Sequence, residues 1–300
     1  MPKRDLVSIF DLNKEEIYEI FKMAEKVKDA QKKGLEEKRL KDRTLAMIFE
    51  KPSLRTRVTF ETGMTQLGGH AIYLAPADIK LGKRESVPDV GRNLSRWVDI
   101  IMARVFAHKT VEELAENSAI PVINGLSDLE HPCQIMCDLF TVIEKKGGLE
   151  HITIAYIGDG NNVCNSFVAA SAILGFRFIA ATPQGYEPNR EYLEKAKTTE
   201  LTTDPEEAVK DADIVYTDVW ASMGQEDEAE QRKKLFKPYQ LNSQLLKAAR
   251  KEYLVMHCLP AHRGEEITDE VIDGPHSIVF DQAENRLHIQ KAIMLWLLQR

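Results

Sequence analysis

Short apolar runs alternate with amphipathic stretches along this chain, and that alternation constrains its fold more than any single residue does. The runs TLAMIF (44–49), HAIYLA (70–75), DIIMARV (99–105) and IPVING (120–125) are each followed by residues at helical spacing. A strand covered on both faces reads as a continuous apolar run, whereas one with a wet face alternates, so the pattern is that of parallel βα units. It breaks at the polar, glycine-containing EKKGGLE (144–150) and resumes with ITIAYIG (152–158), FRFIAA (176–181), DIVYTDV (213–219), YLVMHC (253–258) and SIVFD (277–281). The expectation is an α/β chain of two doubly wound domains, each a mostly parallel sheet flanked by helices, over residues 1–147 and 148–283. A helix over 13–34 precedes the first strand, with Asn13 as N-cap, Glu16 three residues on and Gly34 as its stop. A last amphipathic helix spans 283–300, with Leu287, Ile293, Leu295 and Trp296 to bury.

Composition narrows the function classes. With 40 Lys and Arg against 47 Asp and Glu, the formal charge of -7 argues against a protein built around nucleic acid or an anionic membrane. The sequence has no apolar run that would span a bilayer, and its start lacks a signal-peptide core, so a cytosolic location is expected. Four scattered cysteines, Cys133, Cys137, Cys164 and Cys258, fit reduced thiols rather than a disulfide framework, and the Cys133/Cys137 pair fits core packing better than zinc.

Parallel sheets place ligands outside the carboxyl ends of their strands, so the residues after each run carry the functional signal. After the first run, EKPSLRTR sets Ser53 to cap a helix from Leu54, with Arg55 and Thr56 in its first turn. Free N–H groups, guanidinium and hydroxyl there suit phosphate oxygens, although the segment alone fits equally well an N-cap with two surface arginines. Arg104 ends the third run, and His131 and Gln134 open the helix after the fourth, with Pro132 at its first position. In the second half, Gly158 and Gly160 suggest a dinucleotide loop, but Val163 stands at the third glycine position. The next strand ends in Ala181 and Thr182 without a ribose-binding acid, so no nicotinamide cofactor is expected. Asn161 and Asn162 fit a helix cap or a polar-substrate contact; Asp218 fits a loop cap or a counter-charge for an ammonium group. Cys258 fits a small apolar residue or, given a depressed pKa, a nucleophile.

Four motifs in order resemble the aspartate/ornithine carbamoyltransferases over essentially the whole chain: SLRTR (53–57), HPCQ (131–134), DVWASMG (218–224) and HCLP (257–260). DVWASMG and HCLP are similar to the ornithine branch. The resemblance implies transfer of a carbamoyl group from carbamoyl phosphate to the δ-amine of L-ornithine, giving L-citrulline and phosphate without a cofactor or metal. It assigns carbamoyl phosphate to Ser53, Leu54, Arg55, Thr56, Arg104, His131 and Gln134, with Cys258 and Leu259 at the junction of the substrates. Arg286 returns to that site on the last helix (284–300), and Lys80 reaches a neighbouring subunit's site in a homotrimer or multiple of trimers. It assigns ornithine to Asn162, Asp218, Ser222 and Met223, and the reaction itself to Arg55, Arg104, His131 and Cys258, the thiol not acting as a covalent nucleophile. Two positions depart from the family pattern, Lys80 from a common glutamine and Leu54 from a frequent threonine. The competing expectations are a carbamoyltransferase for putrescine or another amine, and a non-catalytic relative that would have lost some of these residues.

Overall fold

The computed structural model describes residues 3–36, 38–197, 199–221 and 229–298. These form two compact units, one of residues 1–140 with 284–300 and one of residues 141–283.

The first unit contains α1 (Lys14–Lys32), β1 (Thr44–Phe49), α2 (Leu54–Gln66), β2 (His70–Leu74), α3 (Pro76–Ile79) and α4 (Val87–Trp97). It continues through β3 (Ile100–Arg104), α5 (His108–Asn117) and β4 (Val122–Leu126) into α6 (Pro132–Lys146), whose residues from 141 onward belong to the second unit. The strands form one parallel sheet in the order β2-β1-β3-β4. Its central members β1 and β3 are buried almost throughout, as their uninterrupted apolar sequences require. α1 begins where Asn13 accepts from the Glu16 N–H while Glu16 returns a bond to the Asn13 N–H, which satisfies two otherwise orphaned donors.

In the second unit, β5 (Thr153–Ile157), α7 (Asn162–Leu174), β6 (Arg177–Ala181), α8 (Arg190–Lys195) and β7 (Thr199–Thr202) come first. They are followed by α9 (Pro205–Val209), β8 (Ile214–Thr217), α10 (Ala229–Phe236), β9 (Leu254–His257) and α11 (Asp269–Ile272). The sheet is again parallel, in the order β7-β6-β5-β8-β9. Its core includes Ile157, Val215, Val255 and Ile267. α12 (Val279–Leu298) closes the chain, and its residues from Glu284 onward belong to the first unit, where Ile293, Leu295 and Trp296 are buried.

Two elements differ from the sequence expectation. SIVFD (277–281) is not a strand: Ser277 makes a single bridge to Val255, and α12 has begun by Val279. β7 was not foreseen because TELT is a polar edge strand, pairing with β6 on one side only, and carries no apolar run.

Strand order fixes where ligands can enter. In both sheets the winding reverses beside the first strand, between β1 and β3 and between β5 and β8. The carboxyl ends of those four strands are where a doubly wound sheet opens a crevice.

Candidate active site

In the first unit the carboxyl ends of β1 and β3 are tied together. Phe49 pairs with Arg104, the Glu50 N–H donates to the Arg104 carbonyl at 2.8 Å, and the Phe106 N–H donates to the Glu50 side chain at Oε2, 2.8 Å away. Beyond these bonds Ser53 caps α2, its Oγ accepting from the Thr56 N–H at 3.2 Å. The first-turn N–H groups have no partner within the helix and carry the positive end of its dipole. Leu54 is 74% exposed, and Arg55 is half-buried. Arg57 points elsewhere: it bonds Glu61 at 3.1 Å and lies 3.7 Å over the Tyr73 ring.

Around this turn the structure gathers side chains that sequence separates widely. Thr56, Arg104, His131, Gln134 and Arg286 are all nearly inaccessible. Arg286, from α12, donates through Nη1 to Gln134 Oε1 and through Nη2 to Thr56 Oγ1 at 3.4 Å. Gln134 Nε2 donates onward to Asp138 Oδ1 at 2.7 Å, which fixes the orientation of the amide. Arg286 Nε is buried with no hydrogen-bond partner among the described residues. Burial, then the charges of Arg286, Arg104 and Arg55, hold His131 well below the ordinary histidine pKa. His131 is therefore a neutral imidazole at neutral pH, with one N–H to donate. Lys51, which sequence reasoning did not single out, sits buried beside this loop with Nζ 4.4 Å over the Phe106 ring. Lys80 is set apart: it is exposed, has φ 48° at the end of α3, and its carbonyl accepts from Lys83 and Arg84.

In the second unit Asn161 is the cap of α7. Its Oδ1 accepts from the N–H groups of Val163 and Cys164 at 2.9 and 3.2 Å, while its Nδ2 donates to Asp218 Oδ2 at 2.8 Å. Asn162 is left as the first residue of the helix, half-buried. Asp218, just past β8, takes the Cys258 thiol at 3.0 Å and its neighbour's N–H, from Val219, at 2.8 Å on Oδ1. The hydroxyl of Tyr156 also reaches Asn161, and burial followed by the negative charge of Asp218 raises its pKa well above the ordinary phenol value. Nearby, Asp159 forms a buried ion pair with Arg232 at 2.9 Å, and Arg232 also donates to the Trp220 carbonyl at 2.9 Å. Leu259 has φ 58°, and the Leu259–Pro260 peptide is cis. Ser222 and Met223 lie outside the described residues.

Asp218, His257 and Cys258 have ligand-type atoms within 4.8 Å of one another, as do His262, Glu265 and Glu266. Neither group presents a ready metal site. Both nitrogens of His257 are engaged, by the Leu259 N–H and by Glu266, and Glu265 is paired with Lys233 at 3.0 Å.

A family model described as the carbamoyl-P binding domain of aspartate/ornithine carbamoyltransferase matches residues 4–144, and the corresponding Asp/Orn binding domain matches 150–297. An ornithine carbamoyltransferase of Archaeoglobus fulgidus is 55% identical over 299 residues, covering 98% of this chain and 97% of that protein. A Pyrococcus furiosus protein named "Ornithine carbamoyltransferase, anabolic" is 53% identical over 299 residues, covering 97% and 95%. The solved ornithine carbamoyltransferase structure from Pyrococcus furiosus superposes with a TM-score of 0.96 at 52% identity, covering 99% of this chain and 98% of that one. That from Thermus thermophilus gives 0.91 at 46% identity, with 99% of each chain covered.

Proposed function

The chain belongs to the aspartate/ornithine carbamoyltransferase family, and from that premise we propose that it carries the carbamoyl group of carbamoyl phosphate to the δ-amine of L-ornithine, releasing L-citrulline and phosphate. The observation that carries the phosphate side is Arg286: a guanidinium 1% exposed whose bonds among the described residues go to an amide and a hydroxyl oxygen, with Nε unpartnered there, so that its charge calls for an anion. Residues 1–147 with the last helix are read as the carbamoyl phosphate domain and 148–283 as the ornithine domain.

In this reading Ser53, Leu54, Arg55 and Thr56 offer the α2 amino terminus, the Arg55 guanidinium and hydroxyls to the phosphate. Arg104, Gln134 and Arg286 surround it. Neutral His131, with Arg55, donates to the carbonyl oxygen as negative charge grows there. Preorganised donors of this kind are each worth on the order of 100- to 1000-fold in rate. Cys258 and Leu259 take the carbamoyl group. Asn162, Asp218, Ser222 and Met223 hold ornithine, Asp218 serving as counter-charge for a substrate ammonium group. The δ-amine must shed its proton before attacking the carbonyl carbon, so the rate rises with pH on the alkaline side.

The anabolic designation of one relative supports the biosynthetic direction, toward arginine. A homotrimer in the cytosol, with Lys80 serving a neighbouring subunit, completes the proposal; among the described residues no helix is long and apolar enough to cross a membrane. The test is citrulline formation from carbamoyl phosphate with ornithine and putrescine assayed in parallel. Preference for putrescine overturns the substrate, and unimpaired citrulline formation by Arg55→Ala overturns the phosphate site.

A further inference from the structure

His257 and Glu266 are both fully buried and belong to no substrate contact assigned above, yet they form a closed chain of hydrogen bonds around the end of β9. The Leu259 N–H donates to His257 Nδ1 at 2.8 Å, so Nδ1 must carry the lone pair. The single N–H of the neutral ring is then on Nε2, 2.9 Å from Glu266 Oε1. The same oxygen accepts from the His262 N–H at 2.6 Å, on the far side of the loop. The His257 N–H is itself fixed by Gln282 Oε1 at 3.0 Å, and Gln282 Nε2 donates to the Tyr216 hydroxyl at 3.2 Å. Carboxylate, imidazole and amide thus form one relay of fixed polarity with no solvent access.

This relay acts on the peptide between Cys258 and Leu259. Leu259 holds φ 58°, a left-handed conformation that a non-glycine residue keeps only where its surroundings determine it. A peptide is planar and its N–H and C=O point in opposite directions, so pinning the Leu259 N–H to the ring also sets the direction of the Cys258 carbonyl. It sets as well the backbone from which the Cys258 thiol meets Asp218.

We propose that His257, held as its Nε2–H tautomer by Glu266, is the positioning residue for the Cys258–Leu259 peptide, whose carbonyl is an acceptor for N–H groups of the reacting substrates. The inference rests on the assignment of Cys258 and Leu259 to the carbamoyl group.

Asparagine and glutamine divide the two functions of the ring. His257→Asn can place an oxygen near the Nδ1 position and keep the acceptor for Leu259, whereas His257→Gln can reach Glu266 but leaves the Leu259 N–H without its acceptor. In the full chain, His257→Asn is expected to keep kcat/KM for carbamoyl phosphate within about tenfold, and His257→Gln to lose on the order of 100-fold, the cost of misplacing a reacting group. The two variants should melt together. Equal losses, or losses that follow thermal stability, overturn the proposal. Nitrogen-15 NMR of the wild-type protein labelled at histidine provides a measurement independent of any variant: an unprotonated Nδ1 and protonated Nε2 at His257 are expected, and a protonated Nδ1 overturns it. Wild-type protein that makes no citrulline would defeat the enzymatic reading instead, and leave the tautomer result standing.

Discussion

Replacing Arg286 by glutamine isolates what one buried cation contributes to the phosphate side. The wild-type side chain is a fork with one prong on Gln134 and one on Thr56. A shorter, neutral glutamine reaches at most one of those acceptors. Hydrogen bonds to a charged group are worth about 1.5–3 kcal/mol each, so one bond that this guanidinium gives to the phosphate, lost in the variant, corresponds to about 10- to 100-fold in kcat/KM for carbamoyl phosphate, before any displacement of Gln134 and Thr56. A second effect separates charge from geometry. Arg286 follows only burial among the causes that lower the His131 pKa. Removing its charge therefore lets that pKa rise toward the ordinary value, so protonation of His131 starts at a higher pH and the acid limb of kcat/KM shifts upward with it. Arg286→Lys keeps the charge but not the fork: KM for carbamoyl phosphate should rise while the acid limb stays in place. The assay is the initial rate of citrulline formation against carbamoyl phosphate at saturating ornithine, repeated across the acid limb. Wild-type kcat/KM in Arg286→Gln, or an acid limb that moves equally in both variants, refutes the reasoning.

Two further outcomes are expected. Asp159→Asn takes the carboxylate at 2.9 Å away from the buried Arg232 guanidinium, and breaking a buried pair from one side should cost about 3–5 kcal/mol in equilibrium unfolding, much of which pairing it with Arg232→Met should recover. Among the thiols, burial pushes Cys133 up to about 12 and Cys164 well above the ordinary value, so an alkylating reagent at neutral pH should label half-buried Cys258 first; peptide mass mapping that finds Cys133 or Cys164 modified earlier contradicts this.

Much of the architecture could be read from the sequence because parallel strands buried on both faces need unbroken apolar runs, and TLAMIF and ITIAYIG have them. SIVFD has an apolar run of only three residues, Ile278 to Phe280, and fails as a strand, since so short a run gives too little periodicity to separate a strand from the first turn of a helix. The side chains after the strands were legible by position, which is how Ser53, Arg104, His131 and Asp218 drew attention. Which of Asn161 and Asn162 caps α7 was not, because both can accept the same bonds and only the backbone decides. Arg286 stood out only through the family resemblance: nothing local in ENRLH says that its guanidinium meets Gln134, over a hundred residues earlier. Glu266 was hidden for a different reason. In HRGEE it looks like one more surface acid, and its complete burial follows from a loop folding over His257.

The double duty of Asn161 has a consequence for protein engineering. At most helix starts asparagine and aspartate can be exchanged with little penalty, and a stabilisation scheme would treat the position as free to vary between them. Here the amide's oxygen serves the helix while its nitrogen serves Asp218. Aspartate would satisfy α7 equally well and turn a carboxylate oxygen toward another carboxylate, so a substitution neutral by helix rules would set two like charges against each other at Asp218.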